Sequence, residues 1–299
     1  MPDPFDALRS HVVPVAPDPD FATRLRRRLV DVVLSTTASQ EENMTMTNAL
    51  LRHELSRNGT RHGDISYISL GFPDDASGRA FYGSVLGWSF ASGQVEQVSN
   101  QVDEVIPQIG LWSGPEAGPL AMHGALLAFR VDDIASSVAR VREEGGTAGD
   151  PETQPYGLEA RCTDGHGLGF WLHQLPAPAR SAPPSGVADG DVSYVTLHVA
   201  DADRARVIFA AVLGWNFSPG HSPGGWNVEG PTPMIGMAGG RSDRVGAVLG
   251  YRTGDFVAAL DRVRASGGTA TGPDQRPYGL EANCVDDQGI PFCLHEFPR

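Results

Sequence analysis

One stretch of this chain is written twice. Asp64-Ile65-Ser66-Tyr67-Ile68-Ser69-Leu70 returns as Asp191-Val192-Ser193-Tyr194-Val195-Thr196-Leu197, an offset of 127 residues. Val85-Leu86-Gly87-Trp88 returns as Val212-Leu213-Gly214-Trp215 at the same offset. Gly145-Gly146-Thr147-Ala148 and Pro155-Tyr156-Gly157-Leu158-Glu159-Ala160 return at Gly267 and Pro277, now 122 residues on. The first copy therefore carries a longer loop, within 89–124. A period this long means that one folded unit has been duplicated, and any fold proposed for the chain must be built from two like parts.

Within each copy the pattern is the same. Alternating strands at 64–72 and 191–199 lead into helices that begin near Ser77 or Asp203. Ala80, Phe81 and Val85 mark the apolar face of one helix, and Val207, Ile208 and Val212 that of the other. Gly87 and Gly214 stop them, because glycine enters the left-handed conformation without a Cβ penalty. Short strands follow around Gln108–Trp112 and Met234–Ala238. Strands at 125–131 and 247–253 feed second helices, 133–144 and 255–266, with Ile134, Val138 and Val141 at helical spacing. Paired strands close each copy, at 158–163 and 168–174, and at 280–285 and 290–296. Each copy thus reads as two βαβββ-like halves.

The remainder divides into a Pro/Ala/Gly linker, 176–190, and an N-terminal extension, 1–62. The extension contains a helix near 19–34 with Phe21, Leu25, Leu29 and Val32 on one face, and a second short helix is expected near 48–57. The organisation expected is 1–62 extension, 63–175 first module, 176–190 linker and 191–299 second module.

Composition removes several function classes. The 299 residues carry 36 acidic against 23 basic side chains, a formal charge of −13. That balance opposes a phosphate-backbone binder, so no nucleic-acid partner is expected. There is no lysine, which excludes Schiff-base chemistry, lysine-held pyridoxal phosphate and a P-loop. Cys162, Cys284 and Cys293 contain no C-x-x-C pair, so neither a disulfide framework nor a structural zinc site is expected. No apolar run is long enough to span a membrane, and the start of the chain lacks a charged-then-apolar signal. A cytoplasmic location, no membrane partner and a possible homodimer are the resulting expectations.

Several features together resemble the vicinal oxygen chelate superfamily (glyoxalase, bleomycin resistance and extradiol dioxygenase). They are the strand and helix ending in Leu-Gly-Trp, the strand end Phe129-Arg130-Val131-Asp132-Asp133, the helix closing on Gly-Gly-Thr, and the last hairpin with Asp-x-x-Gly at Asp164–Gly167 and Asp286–Gly289. The resemblance covers roughly 64–174 and 191–296. It implies an α+β fold of tandem paired βαβββ modules, forming curved half-barrel sheets that enclose a cavity, here with an N-terminal helical extension.

The resemblance also implies where metal-using members place three ligands: in the first strand, at the opening of the strand before the second helix, and four residues past the last turn glycine. Those positions hold Tyr67, Leu126 and Trp171 in one copy and Tyr194, Val248 and Cys293 in the other. A divalent ion needs several converging His or carboxylate donors, so neither a metal nor another cofactor is expected. A rebuilt site from His198 and His295 is one alternative; histidines hydrogen-bonded near the cavity rim or between sheets are the other.

An aromatic pocket is then expected, with Tyr67, Trp112, Leu126, Tyr156 and Trp171 as its wall in the first copy and Tyr194, Trp226, Met234, Val248 and Tyr278 in the second. Arg130 and Arg252 are either anion-binding or solvated edge residues. Glu159 and Glu281 are either general bases or members of ion pairs with a nearby arginine. Trp88 and Trp215 are expected in the core, and Cys162 and Cys284 as buried fillers. The function expected is metal-independent binding of an aromatic or hydrophobic small molecule in a cavity between modules. Two alternatives stand beside it. One is an enzyme of the same superfamily, either a metal-free acid/base isomerase, cyclase or lyase or a metal enzyme with non-standard ligands; its catalytic candidates are Glu159, Glu281, His198 and His295. The other is a partner-binding scaffold using the extension.

Overall fold

The computed structural model describes residues 60–92, 100–113, 124–176 and 185–298. The extension helices expected near 19–34 and 48–57 lie outside the described residues.

The first repeat runs β1 (Ile65–Phe72), α1 (Asp75–Leu86), β2 (Phe90–Ser92), β3 (Asn100–Val102), β4 (Ile109–Ser113), β5 (Ala125–Arg130), α2 (Ile134–Glu143), β6 (Thr147–Ala148), β7 (Glu152–Gln154), β8 (Gly157–Thr163) and β9 (Gly169–Gln174). The second runs β10 (Val192–His198), α3 (Ala202–Leu213), β11 (Asn216–Pro219), β12 (Gly225–Glu229), β13 (Met234–Ala238), β14 (Gly246–Arg252), α4 (Phe256–Ala265), β15 (Thr269–Ala270), β16 (Asp274–Arg276), β17 (Gly279–Val285) and β18 (Pro291–Glu296). This is the α+β architecture that the resemblance implies.

Helix boundaries follow local chemistry. Asp74 and Asp201 cap α1 and α3, each side chain accepting two backbone N–H groups of the first turn. Gly87 and Gly214 end these helices at φ 74° and 68°. The faces are phased differently from the expectation. Ala80 is exposed and Val207 is 46% exposed, whereas Tyr82 and Phe209 are buried with Phe81 and Ile208. The inward stripe is set by the large aromatics, because they remove the most apolar area from water.

Each repeat forms one curved sheet from its two halves. In the first, β1 lies parallel to β4 and antiparallel to β5, and β5 lies parallel to β9. The order is β2-β3-β4-β1-β5-β9-β8, with β6 and β7 on the far edge of β8. The second repeat repeats this pairing through β10, β13, β14 and β18. The two sheets touch where Ala125 of β5 pairs with Ala247 of β14.

The convex faces share one core, because each first helix crosses to the other repeat. On α1, Phe81 stacks edge-on against Phe292 at 5.9 Å, and Tyr82 packs against Tyr251 at 6.1 Å. On α3, Phe209 reaches Phe129 and Phe170 at 6.1 and 5.3 Å. Trp88 and Trp215 are core residues, as expected, and they also tie the repeats together. The Trp88 indole donates to Gly190 O just before β10, and the Trp215 indole donates to Gly63 O just before β1. Gly63 and Gly190 sit at φ 87° and 86°, and a Cβ on either would crowd the Leu213 or Leu86 carbonyl at 2.6 or 2.9 Å. Only glycine fits these two approaches.

Candidate functional site

The concave faces are the surfaces left free by this packing. Side chains in a strand alternate, so one register row names the residues that meet there. In the first repeat Tyr67 lies opposite Ala128, which lies opposite Trp171, which lies opposite Arg161. The corresponding row of the second repeat is Tyr194, Gly250, Cys293 and Asn283.

Tyr67, Ala128 and Leu175 form a buried cluster with Tyr156 and Trp171 packed on it. Trp112 meets Trp171 edge-on, with ring centroids 5.8 Å apart. The structure thus brings together Tyr67, Trp112, Tyr156 and Trp171 of the expected wall. Leu126 is half-buried, two residues before Ala128 and opposite Ser69. Tyr67 is hydrogen-bonded to Gln101, yet burial pushes its hydroxyl well above the usual phenol range. It stays a neutral donor at physiological pH.

Beneath Tyr156 lies a chain of polar groups. The Tyr156 hydroxyl donates to Glu159 Oε2 at 2.5 Å. His173 Nε2 lies 3.3 Å from the same oxygen, off the line of a good hydrogen bond, and His173 Nδ1 is 3.1 Å from Ser66 Oγ. Burial works to raise the Glu159 carboxyl, but His173, the Tyr156 hydroxyl and Arg161 outweigh it and hold the group below its ordinary value. Tyr156 itself is pushed far up, first by burial and then by Glu159. The same chain recurs as Tyr278, Glu281, His295 and Ser193, with Tyr278 donating to Glu281, His295 Nε2 3.8 Å from Glu281 and Ser193 Oγ 2.9 Å from His295 Nδ1. An ion pair between Glu281 and an arginine is present, Arg276 at 3.5 Å, whereas the partner of Glu159 at this range is His173.

The second concave face is more open. Tyr194, Thr196 and Val248 are half-buried, Met234 is 60% exposed and Tyr278 is 45% exposed. Trp226 lies elsewhere: it pairs with core residue Met237 and stacks under the Arg206 guanidinium at 3.5 Å, on the helix-facing side of the sheet. Register, not residue type, decides the face.

The two arginines are both engaged. Arg130 is neither open to a ligand nor on a solvated edge. Its side chain is 6% exposed and its charge faces Asp132, at 3.9 Å, and Asp64; burial lowers its pKa against these two carboxylates. Arg252 donates to Gly186 O at 3.1 Å and lies over Phe297.

The three positions at which the resemblance implies metal ligands do not fit an ion. Tyr67, Leu126 and Trp171 offer one neutral phenol; Tyr194, Val248 and Cys293 offer a phenol and a thiol that burial pushes up to about 12. Among the described residues no three His, Cys, Asp or Glu side chains converge as an ion would require. His198 and His295 do not meet. His295 bonds Ser193, five residues from His198 along β10, roughly 16 Å at the rise of a strand. His295 is held neutral chiefly by burial, and so is His198, helped by Arg241 and Arg244. Cys162 and Cys284 are buried, as expected of fillers.

Sequence reasoning missed Arg161 and Gln101. Both are polar strand residues, and only their phase with Trp171 and with Gly110 places them on the concave side.

No protein-family model matches the chain. Over 131 residues it is 31% identical to the anthracycline biosynthesis protein DauV of Streptomyces sp. strain C5; the match spans 43% of this chain and 46% of that protein, so the chain spans about half of this relative. Among solved structures, the Mn(II)-bound glyoxalase from Novosphingobium aromaticivorans superposes with a TM-score of 0.57 at 18% identity, covering 79% of this chain and 83% of that one. A catechol 2,3-dioxygenase gives 0.57 at 12% identity, covering 80% and 90%. Homoprotocatechuate 2,3-dioxygenase from Brevibacterium fuscum gives 0.56 at 17%, covering 80% and 82%. Among the described residues no helix is long and apolar enough to cross a membrane. The shared topology, register and duplication identify the chain as having the vicinal oxygen chelate fold, the fold of the glyoxalases and extradiol dioxygenases.

Proposed function

We propose that the chain is a metal-independent small-molecule binding protein whose first repeat receives a planar aromatic ligand. The observation that carries this reading is the occupancy of the concave row. Where the resemblance implies ion ligands, the chain sets Tyr67 and Trp171, with Trp112 edge-on to Trp171 and Tyr156 beside them. Aromatic walls of this kind favour offset or edge-on ring contacts, each contributing about 0.5–1.5 kcal/mol beyond the area they bury. The name of the partial relative DauV, which refers to fused-ring aromatic products, supports the same ligand class.

An acid/base enzyme is the second reading, and Tyr156 with Glu159 and His173 is the observation that favours it. Against it stands the recurrence of the same groups under the second concave face, where the pocket residues differ. A chain kept under two unlike surfaces is better explained by tying β1, β8 and β9 together.

The test is thermal stabilisation of metal-stripped protein by anthraquinone-type probes. A ligand at a hundred times its dissociation constant stabilises by about 2.7 kcal/mol. Binding that survives chelation and is weakened by Trp171→Ala supports the reading. Stoichiometric bound metal that chelation removes along with binding overturns it.

A further inference from the structure

We infer that the ligand of the first repeat is an aromatic anion, and that Arg161 is the residue that selects its charge; this rests on the binding reading above. Arg161 stands on β8 directly across from Trp171, and its guanidinium lies 5.5 Å from the centre of the Trp171 ring. Its side chain is exposed, and among the described residues no carboxylate comes within ion-pair distance of it. Exposed arginines elsewhere are ion-paired, as Arg142 with Asp150, Arg264 with Asp261 and Arg276 with Asp274, or donate to backbone carbonyls, as Arg140 to Ala211 O and Arg204 to Glu144 O. Arg161 instead lies over the Trp171 ring, and among the described residues its guanidinium donates to no acceptor.

The chemistry of the neighbours agrees. An exposed guanidinium on an indole gains only about 0.5–1 kcal/mol from that contact, so the arrangement is not explained by stability alone. A guanidinium presents parallel donors that match two oxygens of a carboxylate. A flat ring resting against Trp112 and Trp171 would carry a carboxylate or ionised phenol on its edge to within reach of those donors. Glu159, whose carboxyl the Arg161 charge helps to hold down, is already engaged by Tyr156 and His173. Other polar groups on this face are neutral: Gln101 and the Tyr67 hydroxyl are bonded to each other, and the Trp112 indole N–H is buried without a partner.

The second repeat places Asn283 at the position of Arg161, with Cys293 donating to it at 3.5 Å. The cation therefore belongs to one face of the duplicated pair, and charge selection is a property of the first repeat alone.

The experiment compares two matched probes, anthraquinone-2-carboxylate and the neutral anthraquinone-2-carboxamide, by calorimetry on the full chain at low salt. The wild type is expected to bind the acid at least ten-fold more tightly than the amide, with the preference shrinking as salt rises. Arg161→Gln is expected to erase the preference by bringing the acid's affinity down to that of the amide, and Arg161→Lys to restore part of it. If both probes bind and Arg161→Gln leaves their ratio as it was, the assignment of Arg161 is wrong while the aromatic site stands. If neither probe binds the wild type, the binding reading fails and this inference goes with it.

Discussion

Tyr82 of the first repeat donates a buried hydrogen bond, 3.3 Å long, to Asp286 of the second. The pseudo-symmetric position to Tyr82 is Phe209, and that of Asp286 is Asp164, whose Oδ2 is buried without a hydrogen bond. The duplication thus keeps the carboxylate twice and its phenol once. Phe209→Tyr is expected to raise stability by about 1 kcal/mol, and Tyr82→Phe to lower it by about 1–3 kcal/mol, because the second change strands a buried acceptor. Urea titrations should move the midpoint in opposite directions at constant slope; a destabilised Phe209→Tyr would mean that the site has no room for the oxygen.

Asp286 itself gives a pH test. Burial raises its pKa, against the backbone N–H groups of Ile290 and Gln288 that favour the charged form. A folded pKa above the unfolded one contributes stability below the carboxylate range, which is lost as pH rises through the folded value. Asp286→Asn keeps an acceptor for the two N–H groups and is expected to match or exceed the wild type at pH 7 but to fall behind at acid pH. Parallel stability curves for the two proteins from pH 3 to 8 would contradict this.

Glu159 behaves in the opposite sense. Its folded pKa is depressed by His173, Tyr156 and Arg161, so its contribution is present above the unfolded carboxylate pKa and fades as pH falls through the folded one. Glu159→Gln should cost about 1–3 kcal/mol at pH 7 and much less at acid pH. Denaturant midpoints at a few pH values decide the matter.

The reciprocal bonds from Trp88 to Gly190 and from Trp215 to Gly63 predict a single cooperative unfolding transition for both repeats. Gly190→Ala meets both a positive φ and the Leu86 carbonyl, and should cost about 2 kcal/mol or more. Tryptophan fluorescence and far-UV dichroism should shift together. Two separated transitions in calorimetry would show that the repeats are not locked.

Much of the fold was legible because it was written in patterns of adequate length. The repeat, the long strands, and the glycine ends of α1 and α3 all carry a local signal. Short strands such as β3 and β7, three residues each, are too brief to show a period of two. Missing β12 left its register open, so Trp226 read as a wall residue although its strand turns it toward the helices. Both copies also enter β4 and β13 after a cis X-Pro bond, Ile106-Pro107 and Thr232-Pro233, which the sequence does not announce. Of the site, Tyr67 and Trp171 were legible through their positions, since aromatic side chains there are informative by themselves. Arg161 was not, because an arginine in a strand looks solvent-facing until the opposing residue is known.

The exchange of α1 and α3 between repeats bears on how such a chain can diversify. Two identical subunits joined by this packing would have to carry identical clefts, since a change in one is a change in both. Fusion into a single polypeptide releases that constraint: the interlocked interior holds the pair together, and each cleft can then be altered by itself. One face here carries Trp171 and Arg161 where the other carries Cys293 and Asn283, while the same aromatic joint unites both repeats.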